Sequence, residues 1–273
     1  MSDATLTAAG DGHAGLPQPA ALSVSDFSLN FRDKQVLRNI NLEIPGGQFV
    51  ALIGPSGSGK STLLNAIAGF ITPASANVAI QGRIMVGDQP PAAHSLRCGV
   101  VFQEYALFPW RTARRNVEFA LEALDVPASE REARSMRYLK QVGLTAAADL
   151  YPHQLSGGMK QRVAIARALA YEPSVLLMDE PLGALDALTR EKLMSLIDKV
   201  WRQTQTTVVY VTHNVNEAVF LADRALVLKS NPGEIALDLT VDLPRPRDAL
   251  STKAIELERQ LRHAIPETAD DED

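Results

Sequence analysis

Residues 54–62 read Gly54-Pro55-Ser56-Gly57-Ser58-Gly59-Lys60-Ser61-Thr62, a complete phosphate-binding loop pattern. Upstream, Gln48-Phe49-Val50-Ala51-Leu52-Ile53 is a short apolar run of the kind a buried strand uses. Downstream, Leu63-Leu64-Asn65-Ala66-Ile67-Ala68 has helical composition. Strand, glycine loop and helix in that order turn successive backbone N–H groups, and the positive end of a helix, toward a polyphosphate. Lys60 can then reach β- and γ-phosphates, and the Ser61 hydroxyl can ligate magnesium. The stretch predicts a site for a nucleoside triphosphate.

The rest of the chain narrows the setting. It has 273 residues, room for one large domain or two modest ones, and its 46% hydrophobic and 22% charged content is that of a globular protein. A net charge of −5 supplies no global basic field, so nucleic acid is not an expected partner. No apolar run approaches the ~18 residues of a membrane span. The first thirty residues hold acids but neither Lys nor Arg, against a secretory or mitochondrial leader. The one cysteine, Cys98, has no disulfide partner and no metal-ligand spacing around it, and reads as a small buried hydrophobe in a reducing, cytosol-facing protein.

Residues 1–20, rich in Ala, Gly, Thr and Pro, read as a disordered tail, with order from about Leu22. Strands are expected at Ser28–Phe31 and Leu42–Ile44 before the phosphate loop. A helical middle follows. Ser129 and Glu132 have capping-box spacing, with Ala133, Met136 and Leu139 on one face as far as Gly143. A further helix is expected from Ser156 through Ala170, ending before Pro173. Ser174–Met178 and Thr207–Val211 are wholly apolar runs suited to parallel strands covered on both faces. Between them, Leu193, Leu196, Ile197 and Val200 have helical spacing, with Asp186 as N-cap. Ala225–Leu228 leads through Asn231-Pro232-Gly233 into an alternating strand, a hairpin. Strands and helices in alternation predict an α/β sheet with the helical middle as a separate lobe. The terminal Thr268–Asp273 run is acidic and solvated.

Two further motifs bear chemistry. Asp179 and Glu180 end the Val175–Met178 run, at the strand edge where α/β sheets place ligands. There Asp179 would hold magnesium and Glu180 would polarise an attacking water, whereas adjacent acids elsewhere are ordinary surface charge. In Leu155-Ser156-Gly157-Gly158-Met159-Lys160-Gln161-Arg162, a serine and two glycines open a helix and leave N–H groups bare for a second phosphate-sized anion; the plainer reading is an ordinary N-cap.

Together with the phosphate loop, Ser156-Gly157-Gly158 followed by Gln161-Arg162 and Ala164–Leu169 resembles the signature segment of ATP-binding-cassette (ABC) ATPases, and the resemblance spans about residues 22–248. It implies a P-loop NTPase with a RecA-like core, an antiparallel β subdomain and a helical subdomain at about 104–170. The ATPase domain would cover 21–248, and 249–273 would form a C-terminal helix and tail. By resemblance, Gln103 is the Q-loop glutamine that contacts magnesium and senses the γ-phosphate. Gly183-Ala184-Leu185-Asp186 is the D-loop, His213 the switch histidine and Phe31 the aromatic residue that stacks on adenine. ATP and Mg2+ are the implied ligands, contacted by residues 54–62, Gln161 and Asp186 among others. Met159 and Asn214 depart from the commonest family residues, Gln and Asp, without removing a phosphate-contacting group.

One loop and one signature helix per chain imply a homodimer, with Ser156, Gly157 and Gly158 of one subunit closing over ATP held by the other. After Gln103, Tyr105–Trp110 and the basic Arg111, Arg114 and Arg115 leave two readings open: a docking surface for a partner helix, or lobe core beside a solvated face. The resemblance favours docking of integral-membrane permease subunits at Tyr105–Arg115. Phe108-Pro109-Trp110, Asn231–Ile235 and Leu243–Asp248 look most like the ATPases of nitrate, sulfonate and taurine importers, and pyrimidine-precursor importers share these features. The expected protein is thus an ATP hydrolase, peripheral on the cytoplasmic face of a bacterial membrane, working with a periplasmic or surface solute-binding protein. The rivals are an exporter or lipoprotein-release ATPase, a soluble DNA-repair or translation ATPase, and a P-loop kinase. The soluble class lacks support in the single cysteine and the absence of a long heptad run; the kinase would leave Ser156–Gly158 and His213 unexplained.

Overall fold

The computed structural model describes residues 19–91 and 98–266. In chain order these form β1 (Leu22–Phe31), β2 (Lys34–Ile44), β3 (Phe49–Ile53), α1 (Lys60–Ile67), β4 (Val78–Val86), β5 (Cys98–Val101), α2 (Ala113–Ala123), α3 (Ala128–Gln141) and α4 (Gly157–Ala170). Then come β6 (Val175–Asp179), α5 (Ala187–Thr204), β7 (Thr207–Thr212), α6 (Val215–Leu221), β8 (Arg224–Lys229), β9 (Glu234–Thr240) and α7 (Thr252–Ala264).

The apolar runs dictate a six-stranded sheet of order β5-β6-β7-β3-β8-β9, parallel except for the β8–β9 hairpin. Because a strand points alternate side chains to opposite faces, a run with no polar residue must be covered on both. So it is in β3. Phe49, Ala51 and Ile53 enter a core shared with α2–α6, while Val50 and Leu52 enter a second core shared with α1 and β1, β2 and β4. Those three strands make an antiparallel sheet of order β2-β1-β4. Their alternation buries Leu22, Val24, Phe27 and Leu29 of β1 against α1's Leu63, Leu64 and Ile67. The expected α/β sheet and antiparallel subdomain are both present.

Several local expectations are corrected. α3 is capped by Pro127 without a side-chain bond, so Ser129 and Glu132 form no capping box. Its buried positions are Ser135, Tyr138 and Leu139, while Ala133 is exposed. Tyr138 donates to Glu172 Oε1 at 2.7 Å and Arg134 pairs with the same oxygen at 2.9 Å, which turns that face toward the end of α4. Cys98 is half-buried at the start of β5. The strands of the antiparallel sheet run longer than expected, and order reaches Ala20, whose carbonyl accepts from Thr207 Oγ1 at 2.7 Å. Residues 1–18 of the expected tail and the acidic 267–273 segment lie outside the described residues.

The Leu243–Asp248 segment has a structural use that its sequence does not announce. α6 is short, and a helix end leaves carbonyls without intrahelical partners. Arg245 Nη2 donates to Leu221 O at 2.7 Å and Arg247 Nη1 to Val219 O at 2.8 Å and to Ala222 O. Arg245 also pairs with Asp198 and Asp223 and lies over the Trp201 ring, 4.3 Å from its centroid. Burial and the neighbouring Arg245 cation push Arg247 down to about 10, which leaves it charged at neutral pH. The segment is a strap that caps α6 and ties it to α5. Arg247→Ala is expected to destabilise the fold by about 2–4 kcal/mol, since buried carbonyls lose a charged donor. Denaturant titration of the two proteins at neutral pH checks it.

Candidate functional site

Four strand ends meet along the carboxyl edge of the sheet, because β5, β6, β7 and β3 are consecutive neighbours and all parallel. Residues 54–59 follow β3, Gln103 follows β5, Asp179 and Glu180 end β6, and His213 follows β7. The sheet also reverses its direction of growth at β3, which has β7 on one side and β8 on the other; α/β sheets bind ligands outside such a point.

The loop between β3 and α1 is built by close approach. Gly59, the N-cap of α1, has φ of 89°, and a Cβ there would stand 2.6 Å from Leu37 Cδ2. Ser56, Gly57 and Ser61 are exposed, while Ser58 and Lys60 are buried. Lys60 Nζ donates to Gly54 O and Pro55 O, each at 2.8 Å. Burial lowers its pKa, opposed by the negative charges of Glu180 and Asp179. Behind the loop sits the Asn231-Pro232-Gly233 turn. Gly233 N donates to Val36 O at 2.8 Å and Gly233 O accepts from Arg38 N at 2.9 Å. A Cβ on Gly233 would fall 2.3 Å from Ser58 O, so this turn and β2 jointly back the loop.

Ser61 Oγ donates to Asp179 Oδ1 at 2.9 Å. Burial raises the Asp179 pKa, the Ser61 hydrogen bond lowers it, and Glu180 beside it raises it again. Glu180 takes a left-handed backbone, φ 42°, with its N–H on Val211 O at 3.0 Å. This costs on the order of 1–2 kcal/mol for a residue with a Cβ and swings its side chain across the edge. There Glu180 Oε2 lies 3.1 Å from His213 Nδ1. A Cβ on Gly183 would be 3.6 Å from Gln103 Nε2 and 3.7 Å from Glu180 Oε2, so the glutamine shares the same space. The structure therefore gathers Lys60, Ser61, Gln103, Asp179, Glu180 and His213.

The donor set fits a hard divalent cation that keeps waters and phosphate oxygens in its shell. Ser61 and Asp179 offer oxygens, and among the described residues no cluster of three or more His, Cys, Asp or Glu forms an all-protein cage. Phe31 ends β1 and is partly exposed, as a ring-stacking residue must be.

The second anion motif lies elsewhere. Among the described residues no hydrogen bond or ion pair joins Ser156–Gly158 to residues 54–62. Ser156 Oγ caps α4 by accepting from Met159 N at 3.3 Å. Gly157 is half-buried and crossed by the Tyr105 hydroxyl, 3.1 Å from where its Cβ would be. Gly158 is buried, and a Cβ there would strike Thr189 Cγ2 at 2.6 Å; its first use is to let α4 and α5 touch. Gln161, expected among the nucleotide contacts, is fully buried and does not present its amide at the surface, because α4 turns that face into the core. Asp186 is exposed and caps α5, accepting from Thr189 N at 3.0 Å, and such backbone bonds hold its pKa low.

The expected docking segment is also resolved in detail. Asn116 is buried; its amide donates to Phe108, Arg111 and Thr112 carbonyls and accepts from Phe108 N at 2.8 Å. Arg167 of α4 donates to Ala106 O at 2.6 Å and Tyr105 O at 3.2 Å. The loop is thus held rigid, with Phe108 packed edge-on against Phe119 and Trp110 left 70% exposed. The arginines are not a spare basic group: Arg111 pairs with Glu122, and Arg114 and Arg115 both pair with Glu118. Asn116, Arg190 and Glu217 carry no motif; Arg167 falls within the signature segment, but its bonds to the Tyr105 and Ala106 carbonyls are not announced there. The one signal was a lone acid, Glu217, among the apolar residues of α6.

The chain matches the family model described as ABC transporter over residues 37–183. It is 45% identical over 243 residues to the nitrate import ATP-binding protein NrtD of Synechocystis sp., covering 88% of this chain and 89% of that protein. It is also 45% identical to the aliphatic sulfonates import ATP-binding protein SsuB of Rhodopseudomonas palustris, covering 94% and 86%. A solved dimeric ATP-binding cassette in a post-hydrolysis state, bound to ADP and Pi, superimposes with a TM-score of 0.68 at 34% identity, over 81% of this chain and 98% of that one.

Because Asp179 has a raised pKa in the fold, its charged form is penalised there at neutral pH, and that penalty fades as pH falls through the carboxylate range. Asp179→Asn is therefore expected to raise the melting midpoint of the nucleotide-free protein at pH 7. The gain shrinks toward pH 4, which calorimetry across that range checks.

Proposed function

The chain belongs to the ABC transporter family of ATPases, and we propose that it powers a bacterial importer of small oxyanions such as nitrate or sulfonates. The observation that carries the hydrolytic reading is the Glu180–His213 contact of 3.1 Å beside the Ser61–Asp179 contact of 2.9 Å. The relatives named for nitrate and aliphatic sulfonate import support the solute class.

In this reading ATP lies on residues 54–62, with Lys60 neutralising β- and γ-phosphate charge and Phe31 against the adenine. Ser61, Asp179 and Gln103 would hold a magnesium ion, which would supply further charge neutralisation on the same phosphates. Glu180 orients a water and takes its proton as the water oxygen bonds to the γ-phosphorus and the bond to the ADP oxygen breaks. His213 steadies the Glu180 carboxylate through Nδ1 and senses the γ-phosphate. ADP and inorganic phosphate result. Ser156 and the N–H groups of Gly157 and Gly158 would close over the γ-phosphate from the partner protomer, and Asp186 would line the same interface. The dimeric state of the ADP-bound cassette favours that arrangement. Two sites then close by one two-fold axis.

Work is drawn off at the segment after Gln103. Trp110 offers a large exposed ring on a rigid loop, and Phe70, stacked on Phe102 and 47% exposed, is a second aromatic near that strand end. We assign this surface to the permease subunits, with the chain peripheral at the cytoplasmic face and a solute-binding protein delivering the anion from outside. Among the described residues no helix is long and apolar enough to cross a membrane, which leaves the channel to those partners.

Glu180→Gln is expected to lower steady-state hydrolysis by at least ~100-fold, the scale of a lost general base, while the variant forms an ATP-dependent dimer on sizing columns. Unchanged turnover would remove Glu180 from the reaction. Wild-type turnover per chain should rise with protein concentration. Trp110→Ala should weaken assembly with the permease about 30-fold, a hot-spot loss of about 2 kcal/mol, while hydrolysis by the isolated chain stays unaltered. Pull-down with the purified permease pair measures it.

A further inference from the structure

α6 buries an acid that the reaction scheme leaves unused. Glu217 is 3% exposed, on a helix whose other buried residues are Val215, Ala218, Val219 and Leu221. A buried carboxylate persists only with partners, and this one has three. Its Oε2 accepts from Tyr210 OH at 2.7 Å and from Thr212 Oγ1 at 2.8 Å. Its Oε1 faces Arg190 Nε at 3.6 Å, an ion pair without a direct hydrogen bond.

Each partner leads to a different part of the site. Thr212 immediately precedes His213, and the same hydroxyl oxygen accepts from Asn214 N at 3.0 Å, so the backbone on both sides of the histidine is held to one side chain. Arg190 Nη2 donates to Leu185 O at 2.8 Å, the carbonyl just before Asp186. Arg190 N closes the first turn of α5 on Asp186 O at 2.9 Å. Tyr210 anchors the carboxylate to β7; burial and the Glu217 charge push its phenol well above the usual range, so it remains a donor.

We infer that Glu217 is a positioning residue that couples the His213 turn to the Leu185–Asp186 loop, fixing the two relative to each other. The pathway runs within one protomer, from Asn214 N through Thr212, Glu217 and Arg190 to Leu185 O, over buried or half-buried groups. Its ends bear on two different sites of the dimer: His213 faces the protomer's own Glu180, whereas Asp186 lines the interface with the partner. The device therefore lets closure at one site set the histidine at the other. This rests on the proposed roles of His213 and Asp186 in ATP hydrolysis.

The test compares wild type with Glu217→Gln, Arg190→Met and the double variant, measuring kcat, KM for ATP and the melting midpoint. Glu217→Gln keeps the shape and an acceptor for the two hydroxyls but loses the charge that holds Arg190. It should lower kcat at least about tenfold with KM changed less than about threefold, the pattern of a group that acts only in the transition state. The double variant should be no slower than the worse single one, because both break a single chain of contacts. A kcat equal to wild type in Glu217→Gln, multiplying effects in the double variant, or a kcat that falls only in proportion to folded protein would overturn the inference. Should Glu217→Gln not fold, Arg190→Met cuts the chain of contacts between Glu217 and Leu185 O and carries the test alone. Lowered kcat at constant KM supports the coupling; wild-type kcat rejects it. His213→Ala run alongside separates the two levels: retained turnover there defeats the underlying reading, while lost turnover with a wild-type Glu217→Gln defeats the coupling alone.

Discussion

Burial of one parallel sheet on both faces is the constraint from which the rest follows. With Phe49, Ala51 and Ile53 in one apolar cluster and Val50 and Leu52 in the other, strand sides have no room for polar chemistry. The groups suited to phosphate and water chemistry therefore stand at strand ends, where the backbone leaves the sheet. Since β5, β6, β7 and β3 are neighbours and parallel, their ends coincide in space. A loop, a carboxylate pair, a histidine and a glutamine that are far apart in sequence become a single site for that geometric reason alone.

The site is held against local preference. Lys60 is buried and its pKa lowered by that burial, Asp179 is pushed toward its neutral form, and Glu180 adopts a backbone that favours glycine. Strain of this kind persists only where surrounding structure over-determines it. Here the surrounding structure is specific. The Asn231-Pro232-Gly233 turn and β2 press on the loop from behind, Val211 O fixes the Glu180 N–H, and Arg245 and Arg247 cap the helix that follows His213. The C-terminal segments thus act on a site to which they contribute no proposed ligand contact. The Asn231-Pro232-Gly233 turn and the Arg245–Arg247 strap are thus supports of the carboxyl edge of the sheet.

The helical part works by the same logic of shared contacts. Arg167 reaches from α4 to the Tyr105 and Ala106 carbonyls, just past Gln103, and the Tyr105 hydroxyl crosses Gly157. The segment after the β5 strand end is thereby mechanically tied to the start of the signature helix. Gly158 presses that helix start on Thr189 of α5, one turn from Asp186. Displacement of any one of these starts cannot leave the others in place, as packed interiors do not deform continuously.

Local chemistry was legible in the residues themselves. The phosphate loop, the strand-terminal Asp179-Glu180 pair, the Ser156 and Asp186 caps and the β8–β9 hairpin depend on neighbours in sequence, so spacing and residue type suffice to read them. The α3 cap failed because Pro127 already ended the preceding turn and Glu172, more than thirty residues away, chose the buried face. Gln161 looked like a ligand contact within its motif, yet the rotation of α4 against the core is a packing outcome that spacing does not encode. Arg111, Arg114 and Arg115 read as a basic group because Glu118 and Glu122 reach them only once α2 has formed. The sequence by itself determined which groups could hold a triphosphate and which apolar runs form the central strands, but not where every strand begins: β1 and β2 start well before the runs that announce them. Only the tertiary structure decided which charges are spent on one another, and that Glu217 and Arg190 join His213 to Asp186, because those pairings depend on strand order and helix rotation rather than on distance along the chain.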